Sequence, residues 1–323
     1  MSRVLITGVN GFIGRRLAYA LSKQGHSVVG VSLETQPNRL PTTAEYHKLD
    51  LVQHSAVEGF LDSNRFDALI HLAALVHVRD ANLGFDDYSR VNYRASETLF
   101  ESAAKAGINR IVFASTVEVY GPQPEGAVVN ETTRCNPDSD YGRTKLLAEE
   151  ALERIAAQMP ISYSILRFAP VYAPDFRLNL DKRIYLKAPQ VGYHFGKGQS
   201  RLCLCSIRNI EYWTERWLAS PTPPSGTFNL ADEYCPTARE ILLLERKHSR
   251  AKTIIPLPLL PCLTTLAFRE VALSIVGSDP GMYTTANIRK LERSTTYDAS
   301  RANLAIGSLP GNVTIDLYEE VSP

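Results

Sequence analysis

The stretch Thr7-Gly8-Val9-Asn10-Gly11-Phe12-Ile13-Gly14 decides the fold. It sets three glycines at G-x-x-G-x-x-G spacing, after the run Val4-Leu5-Ile6 and at the head of a helical pattern over Phe12 to Lys23. Gly8 permits a tight turn, Gly11 lets the backbone approach a pyrophosphate, and Gly14 lets helix and strand pack closely. The helix start, through Asn10, Phe12 and Ile13, offers unpaired N–H groups and a positive dipole end to phosphates. A strand, glycine loop and helix in this order predict a dinucleotide site, for NAD or NADP.

Outward from that loop, β-branched runs alternate with helical patterns. Strands are expected at Arg3 to Thr7, Ser27 to Val31, Asp67 to His71, Arg110 to Ser115 and Ser162 to Arg167. Helices are expected at Asp86 to Ala106, ending at Gly107, and at Tyr141 to Gln158. Repeated β-α-β order means an α/β protein with a doubly wound parallel Rossmann sheet and a ligand cleft at the carboxyl ends of its strands. Regularity fades after Arg167. Residues 1–167 are read as the dinucleotide-binding core, with a returning strand near 226–232. Residues 168–323 are read mostly as a smaller, interleaved substrate-binding lobe.

Composition narrows the function classes. Lys+Arg number 35 against 34 Asp+Glu, so no global basic surplus points to nucleic acid. Five cysteines in a long chain do not suggest a disulfide framework. Cys203 and Cys205 form a C-x-C pair with no Cys/His cluster nearby, which fits buried strand residues and not a metal site. Val4-Leu5-Ile6 already reads as the first strand, with no signal peptide before it. The apolar run Ile254 to Phe268 is interrupted by Pro256, Pro258 and Pro261 and is too short for an ordinary membrane span. A cytoplasmic protein is expected.

Two further constellations carry chemistry. In Tyr141-Gly142-Arg143-Thr144-Lys145, residues four apart share a helix face, so Tyr141 and Lys145 point into one site. A phenol with a pKa of ~10 is a poor base near neutrality. A neighbouring ammonium, together with a cationic nicotinamide ring, would favour the phenolate and let Tyr141 take a proton from a substrate hydroxyl. Thr116 follows the fourth strand and would orient the substrate oxygen, with Ser115 a competitor. Asp50 would accept from the adenine amino group. The second strand runs into Val31-Ser32-Leu33-Glu34. Ser32, with Arg39, would tolerate the NADP phosphate, whereas Glu34 would take the acidic role that selects NAD. Both readings stay open.

Thr-Gly-x-x-Gly-Phe-Ile-Gly, His71-Leu72-Ala73-Ala74, Asn92, the string Ser115 to Gly121 and Tyr-x-x-x-Lys stand here in the order found in the NAD-dependent epimerase/dehydratase family of extended short-chain dehydrogenases/reductases. The chain resembles that family strongly over residues 3 to 175. Later echoes are Gly226 to Leu230 and Tyr297 to Ala302. The resemblance implies a tightly held cofactor and a nucleotide-sugar substrate. Thr116, Tyr141 and Lys145 match its catalytic triad, with Asn92 supporting the relay. Leu51, Leu72, Ala73 and Ala74 join the cofactor contacts.

Departures refine the reading. Dehydratases of the family carry Asp then Glu after the Thr, but Val117 cannot donate a proton, so epimerase or 4-keto reductase ranks above dehydratase. Glu118 remains as a substrate contact. Pro170 and Ala173 replace the usual Asn and Gly of the segment after the fifth strand. Arg201 and Arg208 are candidate diphosphate contacts, since guanidinium suits paired phosphate oxygens. The apolar run at 254–268 keeps a steroid-like or other hydrophobic alcohol as an alternative substrate, and could instead serve a homodimer interface. A non-catalytic NAD(P)-binding regulatory protein is the alternative of another class.

Overall fold

The computed structural model describes residues 1–76, 83–186, 190–275, 284–285, 288–289 and 294–318. Seven parallel strands form one sheet in the order β11-β7-β5-β4-β1-β2-β3. These are β1 (Arg3–Thr7), β2 (Ser27–Ser32), β3 (Glu45–Lys48), β4 (Ala68–His71), β5 (Arg110–Thr116), β7 (Ser162–Phe168) and β11 (Gly226–Leu230). The doubly wound parallel sheet is therefore as expected. One strand was not anticipated. β3, Glu-Tyr-His-Lys, sits at the sheet edge with three of its four residues exposed, so it carries no apolar signal.

Each face of the sheet is covered by helices, because the strand side chains alternate. Val4, Ile6, Ile70 and Val112 meet Leu17 and Leu21 of α1 (Phe12–Lys23) and Trp213 and Trp217 of α7 (Ile207–Ala219). Leu5, Leu69, Ile111 and Phe113 meet α2 (His54–Asp62), α4 (Ala95–Lys105) and α5 (Asp140–Ala156). Burial on both faces explains why these strands read as continuous apolar runs.

The expected helix over 86–106 begins one residue earlier and is not uniform. A turn of α3 (Phe85–Tyr88) passes through a π-helical segment, Ser89–Arg94, into α4. Such π-turns concentrate at functional sites, and this one contains Asn92.

Three short two-stranded pairs stand apart from the main sheet among the described residues. Val171–Tyr172 (β8) pairs with Cys205–Ser206 (β10), and Val128–Val129 (β6) with Thr296–Tyr297 (β13). Val191–Phe195 (β9) pairs with Thr253–Leu257 (β12), which absorbs the start of the apolar run. The rest of that run opens α9, Leu259–Ile275, on which Leu260 and Phe268 are exposed. No helix of the described residues is long and apolar enough to cross a membrane.

Candidate active site

The glycine loop joins the carboxyl end of β1 to α1. Gly8 has φ +68°, and a Cβ there would meet the backbone of Ala73 at 2.8 Å. A Cβ at Gly14 would come within 2.5 Å of the Gly8 carbonyl oxygen. Gly11 differs: its Cβ would meet only Gly8 O, at 3.1 Å, so its bareness is not required for internal packing. The first helical hydrogen bond runs from Arg15 N to Gly11 O. The amides of Phe12, Ile13 and Gly14 lie ahead of any intrahelical acceptor and fit an anion. A pyrophosphate laid on Gly11 thus meets three donors and no side chain.

The end of β2 bears a hydrogen-bonded cluster around a single acid, Glu34. Ser32 Oγ and Asn10 Nδ2 both donate to Glu34 Oε2, the latter at 3.1 Å. Tyr46 Oη donates to the Glu34 carbonyl at 2.6 Å. The Ser32 hydrogen bond is the chief reason that the Glu34 carboxyl lies below the usual range. Glu34 is therefore anionic near neutrality where the sugar of a bound dinucleotide would approach. Arg39 makes no contact with this cluster among the hydrogen bonds and ion pairs described. Asp50, expected at the adenine, accepts from Val52 N at 3.0 Å and turns the chain from β3 toward α2, with Leu51 beside it.

A directed chain of buried hydrogen bonds fixes the opposite wall. Ser96 Oγ donates to Asn92 O at 2.8 Å, so it accepts from His71 Nε2, also at 2.8 Å. His71 Nδ1 then accepts from the Thr7 hydroxyl at 2.6 Å, while Thr7 Oγ1 accepts from Ala73 N at 3.3 Å. Burial holds His71 well below its ordinary pKa, so the imidazole is neutral and this tautomer satisfies every partner. Asn92 is wholly buried and holds the chain just past Leu72-Ala73-Ala74 through both main-chain groups of Leu75. Its side chain also donates to Thr144 Oγ1 at 3.4 Å.

The candidate reacting groups lie on β5 and α5. Adjacent residues of a strand face opposite ways, which separates the two hydroxyls at the end of β5. Ser115 donates into the buried Glu149–Arg167 ion pair and is thereby occupied. Thr116 caps the following turn, Val117–Tyr120, by accepting from Glu118 N at 3.2 Å, with its own proton still to give. Ser139 caps α5, accepting from Gly142 N at 3.0 Å and donating to Glu118 Oε2 at 3.0 Å. That bond ties Glu118 to the helix start carrying Tyr141. Val117 is buried in the core.

The electrostatics differ from the simple picture of an ammonium lowering a phenol. Burial first, and Glu118 second, push the Tyr141 phenol above its usual value. Lys145 is 1% exposed, its Nζ sits 3.9 Å over the Phe113 ring, and burial lowers its pKa to about 7. A lysine so near neutrality does little by itself to make a phenolate. A phenolate there would need further positive charge, of the kind an oxidised nicotinamide ring carries.

The remaining positions are structural in their visible contacts. Arg208 pairs with buried Asp316 at 2.8 Å. Arg201 donates to the Cys235 carbonyl at 3.0 Å. Pro170 O accepts from Cys205 N at 3.1 Å. Cys203 and Cys205 are both buried, Cys205 in β10. Asn229 accepts from Tyr120 Oη at 2.7 Å and donates to the carbonyls of Val129 and Asp298, which joins the two late sequence echoes. Sequence reasoning passed over Ser139, Ser96 and the relay role of His71. Ser139 was findable: Ser followed three residues on by Gly142 at a helix start is an N-cap position.

A glycine loop at a Rossmann strand end, facing a Tyr-x-x-x-Lys helix, defines an extended short-chain dehydrogenase/reductase architecture. The chain belongs to the NAD dependent epimerase/dehydratase family, whose model matches residues 4–210. It is similar to a UDP-glucose 4-epimerase of Azospirillum brasilense, 31% identical over 175 residues, covering 54% of this chain and 50% of that protein. An uncharacterized UDP-glucose epimerase of Bacillus subtilis, YtcB, is 34% identical over 192 residues, covering 54% and 58%. The chain spans about half the length of these curated relatives. Its fold matches a UDP-glucuronic acid 4-epimerase from Bacillus cereus solved with NAD, at a TM-score of 0.73 and 21% identity, covering 98% of this chain and 96% of that one.

Proposed function

We propose that this chain is an NAD-dependent nucleotide-sugar 4-epimerase of the cytoplasm. The observation that carries the reading is the position of Tyr141 one helical turn before buried Lys145, on a helix that packs against β5 and the Thr116-capped turn after it. The curated relatives named above are epimerases of UDP-sugars, and the solved neighbour holds NAD. None of them supports a hydrophobic alcohol substrate or a regulatory role. Anionic Glu34 at the end of β2 favours ribose hydroxyls over an added phosphate, and so NAD over NADP.

When bound, NAD would accept a hydride from the C4 carbon of the sugar and return it to the other face. The amides of Phe12, Ile13 and Gly14 hold the pyrophosphate, and Leu72, Ala73 and Ala74 form the wall fixed by Asn92. Thr116 donates its hydroxyl proton to the sugar oxygen and aims the C4 hydroxyl at Tyr141. Tyr141 takes that proton as the hydride leaves and gives it back when the hydride returns. Lys145 holds positive charge beside the phenolate in this state. Val117 stands where a dehydratase carries its Asp, so the turn keeps only Glu118 of that acid–base pair, which separates this site from a dehydratase. Arg201 keeps guanidinium N–H groups for a diphosphate, and Glu118 borders the sugar. A homodimer would cover exposed Leu260 and Phe268 of α9, which sedimentation measures directly.

The test is to identify the dinucleotide released from purified protein by mass spectrometry, then to follow UDP-glucose or UDP-glucuronic acid by NMR. Appearance of the C4 epimer with no net reduced cofactor is expected. Stoichiometric consumption of NAD(P)H would make the protein a reductase instead.

A further inference from the structure

Two cysteines that the proposed reaction does not use face each other across a short antiparallel ladder. Arg201 is bridged to Thr237, with Ala238 N donating to Ser200 O at 2.9 Å and Leu202 N donating to Pro236 O at 2.7 Å. These bonds flank the Arg201–Thr237 pair, so it is a non-hydrogen-bonded pair. The next such pair in the same register is Cys203 with Cys235. Beyond it, Asp232 N donates to Leu204 O at 2.8 Å, so the two segments are held together on both sides of the cysteines. Opposed residues of such a ladder send their side chains to one face, and at a non-hydrogen-bonded pair the Cα atoms stand only about 4.5 Å apart. The thiols meet accordingly. Cys235 donates its S–H to Cys203 Sγ, which also accepts from Tyr297 N at 3.4 Å.

The other cysteines are placed differently. Cys205 donates its thiol to the Ser206 carbonyl at 3.6 Å, and burial pushes it well above the usual thiol value. Cys135 and Cys262 are each half-buried. Cys203 and Cys235 are both buried and unbridged. The hydrogen bond from Cys235 holds Cys203 below the usual thiol value, which makes Cys203 the readier nucleophile of the two. A Cα separation of about 4.5 Å lies within the range of disulfide-bonded cysteines, so the bond can close by turning two side chains.

We propose that Cys203 and Cys235 form a redox site, which hydrogen peroxide converts to a reversible disulfide stapling the segment that enters β10 to the segment that leaves β11. The Cys203 thiolate attacks one peroxide oxygen and the O–O bond breaks. Cys203 becomes a sulfenic acid, and the hydroxide released takes the proton that Cys203 gave up and leaves as water. Cys235 sulfur then attacks the sulfenic sulfur and expels its hydroxyl, which leaves with the Cys235 proton as a second water. The two thiols lose two electrons in all, and the peroxide gains them. A thiol reductant reverses the bond by exchange. The closed loop runs through α7 and β11, so the disulfide restricts the unfolded chain and stabilises the folded one. None of this depends on which substrate the active site takes.

The purified, reduced protein is titrated with hydrogen peroxide until Cys135 or Cys262 begins to react. Remaining thiols are alkylated in denaturant, and the unreduced digest is read by mass spectrometry. A peptide joining Cys203 to Cys235, lost on treatment with dithiothreitol, is expected, with a melting temperature raised on the order of 5 °C. Folded C235S should give no such peptide and no rise in melting temperature, and its Cys203 sulfenic acid should be trapped by dimedone. Wild-type protein whose Cys203 and Cys235 stay free while Cys135 or Cys262 oxidises overturns the inference, as does Cys203 joined to Cys205 instead. A cross-linked protein that melts no higher than the reduced one removes the staple.

Discussion

Asn92 grips both main-chain groups of Leu75: its Oδ1 accepts from Leu75 N at 2.7 Å and its Nδ2 donates to Leu75 O at 2.9 Å. A side chain on a π-helical turn thereby sets the course of the loop that leaves β4, along which the proposed cofactor would lie. Asn92 acts here as a positioning residue, since its side-chain hydrogen bonds hold the loop and Thr144.

Asn92→Ala should leave two backbone groups unpaired, at a cost of about 1–3 kcal/mol for each that stays buried. A weaker affinity for NAD should accompany the loss of stability. Denaturant titration with and without NAD checks this, and a variant as stable and as tight as wild type would remove the clamp from the account.

The glycines of the loop should separate by role. Gly14→Ala forces a Cβ against the Gly8 carbonyl and should destabilise the fold by roughly 1–3 kcal/mol. Gly11→Ala meets only one atom, at 3.1 Å, so it should keep its melting temperature yet lose cofactor affinity. Melting curves paired with NAD titrations distinguish the two.

Glu34→Gln should shift cofactor preference toward NADP by about tenfold, through loss of the negative charge opposite the 2′-phosphate. Because hydrogen bonding holds this carboxyl below its unfolded value, the charge persists down to mildly acidic pH and is lost only as pH falls through the lowered pKa. An unchanged NAD to NADP affinity ratio at neutral pH would count against the assignment.

Lys145 predicts a pH dependence of the cofactor-free protein. Its pKa is about 7 when folded against 10.5 for the free side chain, so between those values the unfolded chain binds more protons. Stability should therefore rise with pH from about 7 toward 10, and level off below about 7, where the amine is charged in the folded and unfolded chain alike. Lys145→Met should flatten this rise. Urea denaturation at pH 7 and 9 for both proteins checks it, and parallel behaviour of the two would show that the amine is not so perturbed.

The sheet was legible because its strands are buried on both faces, so Val4-Leu5-Ile6 and Ile111-Val112-Phe113 announce themselves. Edge strand β3 was not, because an exposed edge imposes no apolar pattern on Glu45 to Lys48. The Tyr141–Lys145 face followed from helical spacing, and the separation of Ser115 from Thr116 required knowing which way each strand residue turns. The electrostatics were not legible at all. Burial of Lys145 against Phe113 comes from chain segments far apart in sequence, and burial of the Tyr141 phenol with Glu118 nearby reverses the expected sense of the protein's own effect on it.

The central claim is that Tyr141 moves the proton during C4 epimerisation. Its most direct test is the rate of conversion of a UDP-sugar to its C4 epimer by Tyr141→Phe, measured by NMR alongside NAD binding. The account predicts turnover reduced by at least about a thousandfold, with NAD affinity within a few-fold of wild type. Undiminished epimerisation by the folded, NAD-bound variant would contradict it.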